Sequence, residues 1–99
     1  MKPYEVIFTP GAEADFDSIL HYIAAHNPIR AITFADELRQ KAVRSLSFAP
    51  NAGTIVGRCR SMVFGRYVIV YSVDESEFKI RVLVVAEEHR NWRALFEDG

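Results

Sequence analysis

The stretch VVAEEHRNWRALF (residues 84–96) holds the densest group of reactive side chains in the chain. Cleavage of RNA by its own 2′-hydroxyl needs a general base, a general acid and cations that stabilise the charge developing on the phosphate. Those residue types are all present, as Glu87, His89, Arg90 and Arg93. Glu87 and Glu88 would nevertheless repel a polyanion, and adjacent residues leaving a strand point in different directions. We therefore interpret this stretch first as a partner-facing corner and second as an active site.

Four arginines form a second candidate site. Arg58 and Arg60 are two residues apart on a predicted strand, so their side chains should project from the same face. Arg66 opens the next predicted strand, and Arg81 lies in the last one. If these strands pair as hairpins, the arginines could gather on one side and bind a phosphate or an acidic peptide.

Two tyrosines and nearby acids give this arginine patch two interpretations. Tyr67 and Tyr71 would lie beside the arginines and complete a binding surface. Alternatively, the arginines belong to a solvated edge and pair with Asp74, Glu77 or Glu87. The residues alone favour neither interpretation.

The charge balance argues against a general nucleic-acid binder. Twelve Lys and Arg residues face thirteen Asp and Glu residues, for a net charge of −1, whereas counterion release usually comes with a clear basic excess. The early residues, MKPYEVIFTP, lack the continuous apolar segment of a signal peptide, and no apolar run is long enough to span a bilayer. We expect a cytoplasmic protein with no membrane partner.

Cofactor and metal signatures are absent from the sequence. Cys59 is the single cysteine, so no internal disulfide and no thiol set for zinc can form, and we interpret it as a small packed thiol. His21 and His26 are five residues apart, which does not place them on one helical face. There is no phosphate-binding glycine loop and no nucleophile elbow. The sequence predicts no cofactor and no metal.

Two helices in the first half must position these residues. Residues 3–9 are typical of a short strand, and Thr9-Pro10 supplies a cap and a first-turn proline for a helix over 11–26. Asn27-Pro28 ends that helix and starts a longer one over 28–47. The short connection predicts an antiparallel helical hairpin.

The second half has the period of two that strands show. We predict strands at 56–63, 66–73 and 77–86 and a short terminal helix at 88–97. Both strand faces are apolar, so the hairpin should cover one, and the C-terminal segment, a partner or both should cover the other. The chain is therefore predicted to be one α+β domain over residues 1–99, with the order β-α-α-β-β-β and the hairpin packed on an antiparallel sheet. In the strand at 66–73, one predicted face holds Tyr67, Ile69, Tyr71 and Val73, and the other holds Val68 and Val70. In the strand at 77–86, one predicted face holds Phe78, Ile80, Val82 and Val84, and the other holds Leu83 and Val85.

The order of these elements, together with specific residues, resembles the RelE/ParE superfamily of toxins from bacterial type II toxin–antitoxin modules. The first helix ends in a Tyr-Ile pair within ADFDSILHYIAAHNP, and the second closes with Leu46, Pro50 and Gly53 in a Leu-x-x-x-Pro-x-x-Gly spacing. GRYVIVYSVDESEFKIRVLVV matches the family's Tyr-x-Ile-x-Tyr strand and its apolar last strand, and HRNW follows. Each motif is weak alone, and their order is fairly specific.

The resemblance implies a toxin held inactive by a cognate antitoxin, whose extended and partly helical segment wraps it in a hetero-oligomer. ParE-like members inhibit DNA gyrase by binding, and RelE-like members cleave mRNA on the ribosome. The long second helix, the slightly acidic charge and the lack of a tyrosine after Tyr71 favour the ParE-like branch. A nuclease would use His89, Arg90 and Arg81, whereas contacts with the target or the antitoxin are expected from Arg58, Arg60, Arg66, Tyr67, Tyr71, Arg81, Arg90 and Trp92. Glu87-Glu88 stands where ParE-like chains often have His-Gly, and this departure leaves a retargeted or inactive toxin open.

Overall fold

One strand, two helices and four further strands follow one another along the chain. The computed structural model describes residues 2–97. The elements are β1 (Glu5–Phe8), α1 (Pro10–His26), α2 (Pro28–Phe48), β2 (Thr54–Val56), β3 (Cys59–Phe64), β4 (Tyr67–Asp74) and β5 (Lys79–Glu87), with a 3₁₀ turn at Arg93–Leu95. This is the predicted α+β architecture, with one strand more than expected. No helix within residues 2–97 is long and apolar enough to cross a membrane.

The predicted helical hairpin is confirmed, and its caps explain its shape. The Thr9 hydroxyl accepts a hydrogen bond from the Ala12 N–H at the start of α1 (3.3 Å). Asn27 ends α1 through its own N–H, which donates to the Ile23 carbonyl (2.7 Å), and starts α2 through its side chain, which accepts from the Arg30 N–H (3.0 Å). Because one residue serves both helix ends, α2 must fold back along α1.

The sheet is mixed, which corrects the prediction of an antiparallel sheet. Its strand order is β1-β5-β4-β3-β2, and β1 pairs with β5 in parallel, with Glu5 opposite Lys79 and Phe8 opposite Val82. The remaining neighbours are antiparallel. Parallel neighbours need a long connection, and the helical hairpin with the following three strands supplies it.

The strand predicted at 56–63 is wrong, because a tight turn divides it. Gly57 and Arg58 form the two-residue turn between β2 and β3, with Val56 opposite Cys59. Gly57 has φ +57°, the left-handed conformation that such turns require and that glycine adopts without strain. Arg58 therefore lies in the turn and does not share a strand face with Arg60.

A β-bulge in β5 exchanges the faces of its second half. Val70 is opposite Val84 and Tyr71 is opposite Val82, so Leu83 has no partner in the register of β4. Ile80, Val82 and Val85 consequently pack towards the helices, while Val84 packs on the other face. The predicted common face for Val84 with Ile80 and Val82 is wrong, because the extra residue shifts the alternation by one.

The beginning of α1 holds this bulge in place. Thr9 donates to the Val82 carbonyl through both its hydroxyl (2.8 Å) and its N–H (3.1 Å). Past the bulge, the Asp15 carboxylate accepts from the Val85 N–H (2.9 Å). These bonds satisfy backbone groups that β1 no longer reaches.

Both sheet faces are apolar, as predicted. The helix face packs on a core whose largest buried members are Phe16, Leu46, Ile69, Tyr71 and Ile80. On the opposite face, Val56, Val68 and Val70 pack with Trp92, and Phe96 contacts the same cluster. The C-terminal segment thus covers part of the second face.

The helix predicted at 88–97 is reduced to the 3₁₀ turn at Arg93–Leu95, and residue 97 is the last one described. Trp92 is buried, Phe96 is partly buried, and Leu95 is 72% exposed. The predicted apolar side of this segment is therefore correct for Trp92 and Phe96 and wrong for Leu95.

Two turn glycines provide a matched test of how the C-terminal segment is anchored. Gly57 and Gly65 both have positive φ, and a Cβ on Gly57 would lie 2.0 Å from the Phe96 carbonyl oxygen, whereas a Cβ on Gly65 would meet nothing within 4 Å. Gly65→Ala should cost about 1 kcal/mol of unfolding free energy from backbone strain alone, and Gly57→Ala at least about 2 kcal/mol. Urea denaturation measures both, and Trp92 fluorescence should shift to longer wavelength only in Gly57→Ala. Equal losses with unchanged fluorescence would contradict this anchor.

Candidate partner-binding site

Arg60 and Tyr71 form a turn clamp at the connection from α2 to β2. Arg60 Nη1 donates to the Asn51 carbonyl (3.1 Å) and to the Gly53 carbonyl (2.9 Å), and the Gly53 N–H donates to the Tyr71 hydroxyl (3.0 Å). A Cβ on Gly53 would lie 2.4 Å from that hydroxyl oxygen and 2.7 Å from the Ser61 carbonyl oxygen. Only glycine fits there, which accounts for the glycine of the Leu-x-x-x-Pro-x-x-Gly motif.

The turn clamp lines a shallow cavity of about 310 Å³ that Arg58 and Cys59 also border. Arg58 is exposed at the β2–β3 turn, and its side chain is available to a partner. Burial raises the pKa of the Cys59 thiol, so the thiol is protonated at neutral pH. Of the three predicted binding residues here, Arg60 donates to backbone carbonyls, Tyr71 accepts from a backbone N–H, and Arg58 faces outwards.

Arg81 lies on the opposite sheet face from Arg60. Arg60 is opposite Tyr71, which faces the helices, whereas Arg81 is opposite Ser72. Arg81 Nη1 is 3.7 Å from the Asp74 carboxylate. Hydrogen bonds from Ser76 and from the Glu77 N–H, with a smaller contribution from Arg81, lower the pKa of Asp74. The expected gathering of arginines on one face does not occur.

The other predicted residues do meet, at a C-terminal corner formed by the β3–β4 turn and the end of β5. The Glu88 N–H donates to the Arg66 carbonyl (2.8 Å) and joins the two segments. The Glu87 carboxylate lies 3.7 Å from His89 Nε2 and 3.7 Å from Arg90 Nη2. The side chains of His89 and Arg90 are 76% and 70% exposed, so these contacts contribute little to stability.

Tyr67 connects the corner to the helices. Its ring packs on Phe34, with centroids 4.9 Å apart. Burial raises the pKa of Tyr67, the charge of Glu87 raises it further, and Arg66 opposes the shift. The phenol is therefore protonated at neutral pH and can donate a hydrogen bond to a partner.

Trp92 is a buried side chain that contacts the C-terminal corner. The ring is 3% exposed, and its Nε1–H donates to the Glu88 carbonyl (3.1 Å). The Arg93 guanidinium lies over the ring, 4.5 Å from its centroid. Trp92 thus binds the Glu88 carbonyl at the corner while its ring packs on the sheet.

Helix α1 provides one wall of the site, which the sequence did not indicate. Asp15, Ser18, Ile19 and Tyr22 face the end of β5 across a groove of about 310 Å³, which we call the edge groove. Its remaining lining is Tyr67, Val85, Ala86, Glu87 and Arg90. The sequence showed Asp15 only as an acid near a helix start, because its proximity to β5 depends on the bulge at Leu83.

The turn clamp can be tested by removing one hydroxyl. Tyr71→Phe deletes the acceptor for the Gly53 N–H and should lower the unfolding free energy at pH 7 by about 1–2 kcal/mol. Arg58→Ala, in the exposed neighbouring turn, should change it by less than about 0.5 kcal/mol. Urea denaturation distinguishes the two, and an unaffected Tyr71→Phe would show that the hydrogen bond contributes nothing to stability.

The same residue predicts a pH dependence. Burial raises the pKa of Tyr71, and the Gly53 N–H and Arg60 partly oppose that shift. The neutral phenol of Tyr71 contributes stability at pH values below its unfolded pKa of about 10. Because its folded pKa is higher, this stability is lost as the pH rises through the folded pKa. The stability difference between wild type and Tyr71→Phe should therefore shrink as the pH rises above about 10. A constant difference over this range would contradict the raised pKa.

Comparison with known proteins places this geometry in a family. The family described as "ParE toxin of type II toxin-antitoxin system, parDE" matches residues 6–92. None of the curated proteins matches the chain.

Solved structures share the fold at low sequence identity. The RelBE2 toxin–antitoxin complex of Mycobacterium tuberculosis aligns with a TM-score of 0.68 and 22% identity, covering 91% of this chain and 97% of that one. The chromosomal ParDE system of P. aeruginosa aligns with a TM-score of 0.70 and 20% identity, covering 85% of this chain and 95% of that one. A mutant of the E. coli toxin RelE in the free state aligns with a TM-score of 0.65 and 16% identity, covering 95% of this chain and 93% of that one. Because the family match extends over most of the chain, this protein belongs to the ParE toxin family of type II toxin–antitoxin systems.

Proposed function

We propose that this toxin arrests growth by binding DNA gyrase, without chemistry of its own, and that a cognate antitoxin neutralises it. The family match is to ParE toxins, and the sequence resemblance assigns gyrase inhibition to that branch. The observation that carries the proposal is the wide separation of Arg81 from His89, two of the residues that a ribonuclease of this fold would use.

The separation follows from positions along β5. Arg81 lies near the start of this strand and His89 just beyond its end, eight residues later. The extended chain from Arg81 to Glu87, at roughly 3.3 Å per residue, spans about 20 Å, and His89 lies in the turn that follows. A general acid or base must be within hydrogen-bonding distance of the atom it serves, so these two residues cannot act on one phosphodiester.

The charges at the C-terminal corner also favour binding over cleavage. Glu87 lies between His89 and Arg90 and pairs with both, and Glu88 adds a second carboxylate. A protein partner with mixed charges suits this surface better than the uniformly negative RNA backbone. Arg66, Tyr67 and Arg90 are the residues that we expect to contact it.

A ribosome-dependent endoribonuclease of the RelE type is the second candidate. The corner brings His89, Arg90, Arg66 and Tyr67 together, and these are residue types suited to phosphate contact and proton transfer. The charge of −1 weakens this candidate, since docking on ribosomal RNA needs a basic surface.

An antitoxin partner is supported by the surfaces that the fold leaves uncovered. Ile29 and Ile32 on α2 are 78% and 76% exposed, and Tyr22 on α1 is 64% exposed. Ile29 and Ile32 lie one helical turn apart, and exposed apolar side chains of this size are typical of interaction sites. The related M. tuberculosis structure is a toxin–antitoxin complex, and we propose a hetero-oligomer of the same kind here.

Purified toxin tests the choice between gyrase and mRNA. Wild type should block supercoiling by gyrase and leave translated mRNA intact, and Arg66→Ala and Arg90→Ala should each weaken the block about tenfold. Arg81→Ala is the matched control, because Arg81 lies on β5 far from the corner, and it should inhibit like wild type.

Two results would contradict the proposal. Supercoiling that persists at saturating toxin, with cleavage of translated mRNA that His89→Ala abolishes, would establish the endoribonuclease. Normal growth after induction of the toxin alone would instead identify an inactive relative that retains only antitoxin binding.

A further inference from the structure

A second groove lies between α2 and the turn that joins β3 to β4, and its volume is about 350 Å³. Its helical wall is one face of α2, because the α2 residues that line it follow one another at spacings of three or four. The β3–β4 turn supplies the opposite wall. We call this the basic groove and define it by Arg30, Phe34, Lys41, Phe64, Arg66 and Tyr67.

The floor of the basic groove is apolar. Phe34 and Leu38 are buried, and Phe64 and Tyr67 are partly buried. The rings of Phe34 and Tyr67 pack with centroids 4.9 Å apart, so this floor is held in place by the core on which it lies. A partner that places a large apolar side chain here would remove further apolar surface from water.

Positive charge surrounds this floor. Arg30, Lys41 and Arg66 border it against one carboxylate, that of Glu37, which pairs with Arg30. Within residues 2–97, no carboxylate forms an ion pair with Lys41 or Arg66. Two exposed cations are therefore free to bind the acidic groups of a partner.

The adjoining edge groove has the opposite balance of charge. Asp15 and Glu87 border it with a single cation, Arg90, and the whole chain carries a net charge of −1. The basic groove is thus a local excess of positive charge on a slightly acidic protein, and it favours carboxylates. Tyr67 borders both grooves, and its protonated phenol can donate a hydrogen bond to such a carboxylate.

A protein segment suits the basic groove better than single-stranded RNA. Binding of single strands combines a track of cations with open aromatic faces on which bases stack. The Phe34 ring packs against Tyr67 and lies beneath the Arg30 guanidinium, 5.5 Å from its centroid. Glu87 and Glu88 lie on the other side of Arg66, where they would repel a phosphate backbone that continued past the groove.

We propose that the basic groove binds an acidic segment of gyrase, with an apolar side chain against Phe34 and Phe64 and carboxylates on Lys41 and Arg66. This inference rests on the proposed function, which supplies gyrase as the partner. It extends the contact surface from the C-terminal corner across the β3–β4 turn to α2. Apolar burial supplies affinity, and the two cations select an acidic segment.

Reversal of one charge on α2 tests this docking site. Lys41→Glu should weaken the binding of purified gyrase at least about tenfold, because it places a carboxylate beside the acidic segment. Arg44→Glu is the matched control, since Arg44 is exposed on the same helix, lies outside the groove and undergoes the same change of charge. It should bind within about threefold of wild type, as should Lys41→Arg, which retains the cation.

A zero-length cross-link tests the predicted carboxylate directly. Carbodiimide joins a lysine amine to a carboxylate in contact with it, forming an amide with loss of water. The chain has three lysines, Lys2, Lys41 and Lys79, and two of them lie away from the groove, beside Phe78 and opposite Glu5. Mass spectrometry of the treated complex should find Lys41 joined to an aspartate or glutamate of gyrase that has apolar neighbours, with no cross-link from the other two lysines.

The outcomes separate the two proposals. If wild type does not bind gyrase, the proposed function is wrong and this docking site with it. If wild type binds, equal affinities of Lys41→Glu and Arg44→Glu, or cross-links from Lys2 or Lys79 alone, would overturn only the docking site. Single-stranded RNA that binds wild type and not Lys41→Glu would assign the groove to nucleic acid and overturn the proposal as well.

Discussion

The β-bulge at Leu83, held by Thr9 and Asp15 from the beginning of α1, is the constraint on which the functional end of this toxin depends. One additional residue in β5 exchanges its faces, so Val84 turns towards Trp92 and Val85 turns towards the helices. The same exchange turns the Glu87 N–H away from β4. Without the bulge, the second half of β5 would present the opposite side chains to each face and the opposite backbone groups to its outer edge.

Local signals were sufficient to predict the helical half. Thr9-Pro10 and Asn27-Pro28 act as the caps that their residue types indicate, and α1 and α2 end within one or two residues of the predicted bounds. The parallel pairing of β1 could not be predicted in this way. The pairing depends on which sheet edge the chain reaches after the helical hairpin and the next three strands. The alternation of apolar residues in a strand carries no information about its neighbour.

The candidate site was predictable only in part, for reasons that particular residues make clear. The C-terminal corner was found, because Glu87, His89 and Arg90 are adjacent in sequence. The predicted arginine patch does not form. Gly57 turns the chain before Arg58, so Arg58 lies in a turn. Arg81 is opposite Ser72, whose side chain faces away from that of Tyr71, so Arg81 lies on the other sheet face from Arg60. Arg60 binds the backbone of Asn51 and Gly53, a structural use that its residue type does not distinguish from phosphate binding.

Under the proposed function the toxin acts by surface contact, and Arg81 lies apart from His89 and Arg90 of the C-terminal corner. Co-sedimentation of the labelled toxin with a mixture of purified gyrase and ribosomes tests that claim most directly. The account predicts that the toxin travels with gyrase and that added antitoxin releases it. Toxin that travels with ribosomes, with none on gyrase, would contradict it.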